Sequence, residues 1–317
     1  MGKLNKLRLE NLTMPEVLSP SALELYAQCP YQWYVQNQLK VTDTIQEFGA
    51  IDLGIIAHAT LANLFLQIKS NGDFLTFENI NQYINILQEI FLQIIDEYIY
   101  QEYKESQLSA LDISSIEKLG QKLQNYLFFE LSSFKKFKPW LIEETISGDY
   151  AGYKFSGRVD RVDRLNDSFI VIDYKLGTSD AVSFTDLNAQ YKYQSTLYAQ
   201  LLERKYGLKC VGAFYVPISV NQYYSSNKIG GALDDKYFEE GEIFISRSNF
   251  NNLAISNPLI LENEEIRFES FQTFLDYKEE LSSQLINSMK NADIHKNPLN
   301  PKGEYCPILN ACRKCLK

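Results

Sequence analysis

The sequence predicts an α/β fold: a mixed β-sheet flanked by helices, with an inserted helical lobe. Residues 78–137 carry a helical apolar pattern, whereas residues 139–176 switch to β-branched and aromatic residues punctuated by turn signals. A helix at 186–207 and a strand at 209–219 follow at once, the order that builds a mixed sheet. The 317 residues are 45% hydrophobic and 22% charged, which suits one packed domain over 1–317 and excludes disordered and fibrous classes.

Residues 19–40 open the fold with a short amphipathic helix. Ser21, with Glu24 three residues on, reads as a capping box, and Pro20 suits a helix start. Cys29 falls near the end of that helix. A second helix over 53–69 stops at the turn signal Asn71-Gly72. The helical insertion, 70–137, repeats Leu, Ile, Phe and Tyr at i, i+3 and i+4, as burial of one face requires, and carries no chemistry of its own.

Residues 139–219 form the expected sheet-and-helix core. Gly148, Gly152 and the pair Asn166-Asp167 divide its first part into a three-stranded antiparallel meander. The helix at 186–207 ends on Gly207 as a C-cap, and KCVGAFYVPIS, 209–219, reads as a further strand. Residues 221–262 look like an irregular excursion with some strand content. A last helix spans about 267–291, before a cysteine tail at 297–317.

A net charge of −9 argues against a uniformly basic, nucleic-acid-binding surface and leaves room for a local channel. Lys135, Lys136, Lys138, Arg158, Arg161, Arg164, Arg204 and Lys205 are its candidates, each read first as a solvated surface charge. No apolar run approaches twenty residues, and the N-terminus has no apolar signal core. The expectation is a cytoplasmic, reducing setting with no membrane partner, where clustered cysteines hold metals or do redox chemistry.

The stretch GRVDRVDRLNDSFIVIDYK, 157–175, concentrates the chemistry. Asp160 lies near the end of one expected strand and Asp173 near the end of the next, so hairpin pairing brings the two carboxylates together. Asp173 and Lys175 leave the same face of their strand. Two carboxylates beside a lysine are costly to bury unless something pairs them. A divalent cation with hard oxygen ligands, Mg²⁺ or Mn²⁺, would do so; a structural salt bridge through Lys175 is the other reading. His58, one of two histidines, is by itself a core histidine as readily as a ligand. Gln190, Gln194 and Tyr198 repeat every four residues and form a polar stripe suited to a phosphodiester or a base.

Taken in order, G-x-x-x-H (Gly54 to His58), G-R-x-D (Gly157 to Asp160), D-Y-K (Asp173 to Lys175) and Q-x-x-x-Y (Gln194 to Tyr198) resemble the RecB-like branch of the PD-(D/E)XK nuclease superfamily. The resemblance covers the chain from about residue 18 to its end. It implies a restriction-endonuclease-like core and a metal-dependent deoxyribonuclease. His58, Asp160, Asp173 and the backbone carbonyl of Tyr174 would hold Mg²⁺ or Mn²⁺, Asp160, Asp173 and Lys175 would be catalytic, and Gln190, Gln194, Tyr198 and Arg158 would meet DNA or steady the centre.

Of the five cysteines, Cys210 reads as a packed core thiol, leaving Cys29 early and Cys306, Cys312 and Cys315 late. Four thiolates make a complete set for an iron–sulfur cluster or for zinc. The iron–sulfur members of this branch, AddB-type nuclease domains and CRISPR-associated adaptation nucleases, share the one-early, three-late arrangement, which implies a 4Fe-4S cluster with zinc as the alternative. The late spacing here, C-x5-C-x2-C, inverts the usual C-x2-C-x5-C. His295 lies near enough to substitute as a ligand, or is a plain loop histidine.

The resemblance further implies an exonuclease acting on DNA ends in repair or recombination. No Walker A motif is present, so the motor would be a helicase partner. The alternatives are a standalone CRISPR-adaptation nuclease and a catalytically silent DNA-binding scaffold.

Overall fold

The computed structural model describes residues 12–41, 48–103, 108–134, 136–177, 192–218, 229–234, 237, 259–261, 264–266 and 268–295. Gln190, residues 186–191 of the expected helix, most of the excursion at 221–262, and the tail with Cys306, Cys312 and Cys315 lie outside them.

The apolar alternation of residues 138–175 resolves into β1 (Lys138–Tyr150), β2 (Tyr153–Leu165) and β3 (Ser168–Lys175), an antiparallel meander. Ala151 and Gly152, both at positive φ, make the two-residue turn between β1 and β2, since such a turn matches the twist of paired strands. Asn166, also at positive φ, turns β2 into β3. Helix α6 (Gln194–Tyr206) ends at Gly207, φ 66°, and returns the chain so that β4 (Lys209–Pro217) runs parallel to β3. β5 (Gly230–Leu233) completes a five-stranded sheet in the order β1-β2-β3-β4-β5. Covered on both faces, β3 and β4 read as near-continuous apolar runs. A small separate hairpin pairs β6 (Leu259–Leu261) with β7 (Glu264–Ile266).

The other helices are α1 (Pro20–Gln28), α2 (Pro30–Trp33) running into a π-helical turn, α3 (Ala50–Ser70), α4 (Ile80–Glu102), α5 (Ala110–Ser133) and α7 (Phe271–Lys290). Helix α3 packs on β1, α4 and α5, burying Ile56, Leu61, Leu64, Phe65 and Ile68. Helix α3 is long and apolar enough to cross a membrane by length and composition only, and half of its most apolar stretch is buried inside this protein. Asp52, His58, Asn63 and Gln67 interrupt the stretch, so it is no continuous apolar run, as the sequence reading has it.

Two sequence expectations change here. The cap of α1 is Ser19, whose hydroxyl accepts from the Ala22 N–H at 3.1 Å. Ser21 bonds only sideways to Ser19, and Glu24 turns inward. Arg161 leaves the list of surface cations: it is buried, its Nη2 2.6 Å from Glu130 Oε1 and its guanidinium paired with Asp163. Its Nη1 donates to Tyr174 Oη at 3.1 Å, and its plane lies 3.7 Å over the Phe65 ring. Tyr126 donates to the second Glu130 oxygen. A buried ionic knot therefore joins α3, α5, β2 and β3, on the sheet face opposite Asp173 and Lys175.

Candidate active site

The site forms where β2 parts from β3. The turn at Asn166 sets the register that pairs Arg161 with Ile172, so one step further Asp160 stands opposite Asp173. The pairing foreseen from sequence holds, although Asp160 lies in the middle of β2, which runs on to Leu165. The Tyr174 N–H donates to Asp160 Oδ2 at 2.8 Å and fixes that carboxylate. From α3, His58 Nδ1 comes within 3.4 Å of the same oxygen.

Sequence reasoning missed Glu143. It sits on β1 between Ile142, paired with Arg161, and Glu144, paired with Val159, which places it across from Asp160. Its φ of 51° is left-handed, a conformation an ordinary residue adopts only where its surroundings impose it. Donor atoms of His58, Glu143 and Asp160 all lie within 4.8 Å of one another, each residue half-buried. Arg158 Nε caps the cluster at 2.6 Å from Glu143 Oε2, with most of its side chain in solvent. Counting back from the Ala151-Gly152 turn would have found Glu143.

Asp173 is buried and pairs with Lys175, whose Nζ lies 5.4 Å from the Tyr215 ring centroid. Burial pushes the Asp173 carboxyl up to about 6; Lys175 opposes and Asp160 adds to the rise. Burial alone would lower the Lys175 ammonium, but Asp173 leads the charges that hold it above its ordinary value. For His58, burial lowers the imidazole, and the hydrogen bond and charge of Asp160 outweigh it, leaving a net rise. Glu143 is raised by burial and then by Asp160, against Arg158 and His58. Burial and mutual repulsion thus disfavour the ionised carboxylates even with Lys175 and Arg158 beside them. Hard oxygen donors with one imidazole are the ligand chemistry of a small divalent cation.

Each ligand must lose its proton to bind a cation, so these upward shifts set a pH dependence. Mn²⁺ affinity is expected to be full above neutrality and to fall as pH drops through about 6, where Asp173 protonates. In metal-free protein the sign for stability is the reverse. Groups whose folded pKa is raised stabilise below their unfolded value and lose that contribution as pH rises through the folded one. The gain in melting temperature on adding Mn²⁺ should therefore be larger at pH near 8 than near 5. An equal gain at both would contradict this.

Of the residues expected to meet DNA, Gln194 is half-buried at the start of α6 and Tyr198 is 3% exposed. Tyr198 Oη donates to the Arg158 carbonyl at 3.0 Å, tying α6 to the strand that carries Asp160. Gly157 permits this approach. A Cβ there would lie 2.8 Å from Pro20 Cδ and collide with Tyr198 Oη. Gly157→Ala is expected to cost about 1–3 kcal/mol in urea unfolding, since neither neighbour is free to withdraw. A change under about 0.5 kcal/mol would show that the contact yields. Cys29 caps the end of α1 and is 4% exposed, while Cys210 is buried with its thiol 3.3 Å from the Gly212 carbonyl, as a core thiol should be. His295 Nδ1 lies 3.0 Å from Asp293 Oδ1 on the surface.

The family model described as PD-(D/E)XK nuclease superfamily matches residues 17–313. Among curated proteins, the chain is similar to a subunit of the ATP-dependent helicase/deoxyribonuclease of Clostridium kluyveri, 28% identical over 62% of this chain and 18% of that protein. The corresponding protein of Clostridium perfringens is 31% identical over 58% of this chain and 17% of its own length. That of Caldanaerobacter subterraneus is 25% identical over 98% of this chain and 31% of its own length. The chain thus spans less than a third of the relatives it matches. With the ordered motifs on α3, β2, β3 and α6 of a mixed sheet, and a family match running nearly end to end, the chain belongs to the PD-(D/E)XK nuclease superfamily and has its restriction-endonuclease-like fold.

Proposed function

We propose that this chain hydrolyses DNA phosphodiester bonds with Mg²⁺ or Mn²⁺. His58, Glu143, Asp160 and Asp173 would hold the cation, with the Tyr174 backbone carbonyl completing the set. The observation that supports this most is the meeting of two carboxylates and an imidazole, their donor atoms within 4.8 Å of one another, beside the buried Asp173–Lys175 pair. A structural salt bridge alone needs neither His58 nor a left-handed Glu143.

When bound, a divalent cation offsets charge on the phosphoryl oxygens and makes water easier to deprotonate. The chain's own groups do the rest. Asp160, pinned by the Tyr174 N–H, and Asp173, fixed by β3, present carboxylates with little freedom to reorient. Lys175 Nζ, held at Asp173, places a positive charge where negative charge grows as water attacks phosphorus. Arg158, tethered to Glu143 and largely in solvent, can take a phosphate of the incoming strand without uncovering an apolar surface. Gln194 and Tyr198 line the α6 side; Tyr198 acts by holding β2.

The names of the relatives support a deoxyribonuclease working beside a helicase. The narrower role, an exonuclease in DNA repair or recombination, is what the resemblance of the four ordered motifs implies. The expected setting is the cytoplasm, where thiolates stay reduced and free to hold a metal. The cysteines at 29, 306, 312 and 315 would hold a 4Fe-4S cluster. Iron and acid-labile sulfide in anaerobically purified protein test that, and zinc in their place would overturn it. The functional reading is tested by incubating labelled single- and double-stranded DNA with the protein and Mn²⁺. Metal-dependent shortening of the DNA is the expected result. DNA that is bound but uncut would favour the scaffold alternative, which the intact set of His58, Asp160, Asp173 and Lys175 argues against. Cutting restricted to short free ends, with no helicase required, would favour a CRISPR-adaptation-type nuclease.

A further inference from the structure

Glu24 carries more than its place in α1 requires. It is 7% exposed, although a surface helix of nine residues offers a glutamate many solvent-facing positions. Its Oε1 accepts from the Tyr193 N–H at 2.7 Å and from the Gln194 N–H at 2.8 Å, the amides of the N-cap and of the first residue of α6. Its Oε2 lies 3.5 Å from Lys192 Nζ. On the far side, the buried Lys278 of α7 sets its Nζ 3.9 Å from the Tyr193 ring centroid, and Glu24 is the charge that favours its ammonium form against burial.

These contacts match a deficiency in α6. The residue at its N-cap is Tyr193, whose side chain makes no cap hydrogen bond. An uncapped helix start leaves backbone N–H groups orphaned, and inside a protein each orphan is costly. A carboxylate is the strongest available cap because it accepts hydrogen bonds and also meets the positive end of the helix dipole. The same helix carries Gln194 at the capped position and, one turn on, Tyr198, whose hydroxyl fixes the Arg158 carbonyl two residues from Asp160.

We propose that Glu24 is a positioning residue of the nuclease site: from α1 it caps α6 in trans and so fixes Gln194 and Tyr198 against the strand that carries Asp160. The proposal rests on the nuclease reading above for its catalytic part. Its geometric part stands on the contacts of Glu24 with Tyr193, Gln194 and Lys192 and on the Tyr198–Arg158 hydrogen bond, none of which involves metal or DNA.

Two variants separate reach from charge. Glu24→Gln keeps the length and an accepting oxygen but loses the charge, whereas Glu24→Asp keeps the charge and withdraws the oxygens by one methylene. Amide hydrogen exchange on the metal-free protein, read at Tyr193 and Gln194, is compared with Mn²⁺-dependent DNA cleavage and with the melting curve. In Glu24→Asp the two amides are expected to exchange about tenfold faster, with β3 and β4 still protected, and kcat to fall about tenfold or more with little change in KM. Glu24→Gln should hold amide exchange and kcat closer to wild type than Glu24→Asp does, as the amide oxygen still accepts, while its melting temperature falls because the charge facing Lys192 and Lys278 is lost.

Wild-type protection and kcat in Glu24→Asp would overturn the proposal. So would faster exchange throughout the chain in both variants, which marks a merely structural residue, or a Glu24→Gln that fails where Glu24→Asp succeeds. Wild-type protein that leaves DNA uncut overturns the reading beneath the proposal. The exchange pattern tells that outcome apart from failure of the cap, because it needs neither metal nor substrate.

Discussion

Lys175→Ala is expected to bind DNA and Mn²⁺ and to cut on the order of 10²–10³-fold more slowly, because it removes a fixed positive charge from the place where charge develops. Asp173→Asn should abolish cleavage altogether while leaving the fold intact. The reason is the burial of Asp173, which pushes its carboxyl up to about 6 and makes its ionised form a burden on the metal-free protein at neutral pH. Neutral asparagine removes that burden but also the partner of Lys175, so the melting temperature of Asp173→Asn without metal should stay close to that of wild type. The two variants differ in a second way. Lys175→Ala leaves Asp173 able to meet a cation and should retain the Mn²⁺-dependent rise in melting temperature, whereas Asp173→Asn should lose most of it. A Lys175→Ala enzyme with wild-type kcat would assign the Lys175–Asp173 pair a structural role only.

The largest stability effect is expected at Arg161. Its guanidinium is buried with Asp163, Glu130 and Tyr174 around it and Phe65 beneath. Burial opposes its charge, and Asp163 followed by Glu130 more than restores it. Arg161→Met strands two buried carboxylates, which costs about 3–5 kcal/mol when a buried pair loses one partner. Urea unfolding reads this directly. Removing the stranded charges as well, with Asp163→Leu and Glu130→Met alongside Arg161→Met, should recover most of the loss, because the desolvation penalty goes with them. A single variant within about 1 kcal/mol of wild type would mean that water reaches the knot. Since Tyr174 belongs both to the knot through its hydroxyl and to the site through its N–H, Arg161→Met should also loosen Asp160 and lower activity in the protein that remains folded.

Much of this was legible in the residues. The meander, its turns at Gly152 and Asn166, the Gly207 cap and the strand at Lys209–Pro217 follow from local rules that act within a few residues. Asp160 and Asp173 could be paired from sequence because a short turn fixes hairpin register. Glu143 obeys the same rule, but its strand carried no motif to prompt the count. Arg161 and Glu24 were misread for another reason. A charged side chain looks solvated until its partner is known, and their partners stand 31 and 170 positions away at Glu130 and Gln194. Local sequence places Ser21 and Glu24 at capping-box spacing, yet the carboxylate caps a different helix. Long-range pairing of this kind is set by packing of α1 and α5 against the core, which no local pattern encodes.

The most direct test of the cation site is a calorimetric Mn²⁺ titration of wild type beside His58→Ala, Glu143→Ala and Asp160→Asn, near pH 8. The geometry predicts saturable binding by wild type and a weakening of about tenfold or more in each variant, Glu143→Ala included, as expected for loss of one donor from a cluster this small. Wild type that takes up no Mn²⁺, or variants that bind it as wild type does, would contradict a metal-dependent nuclease centred on these residues.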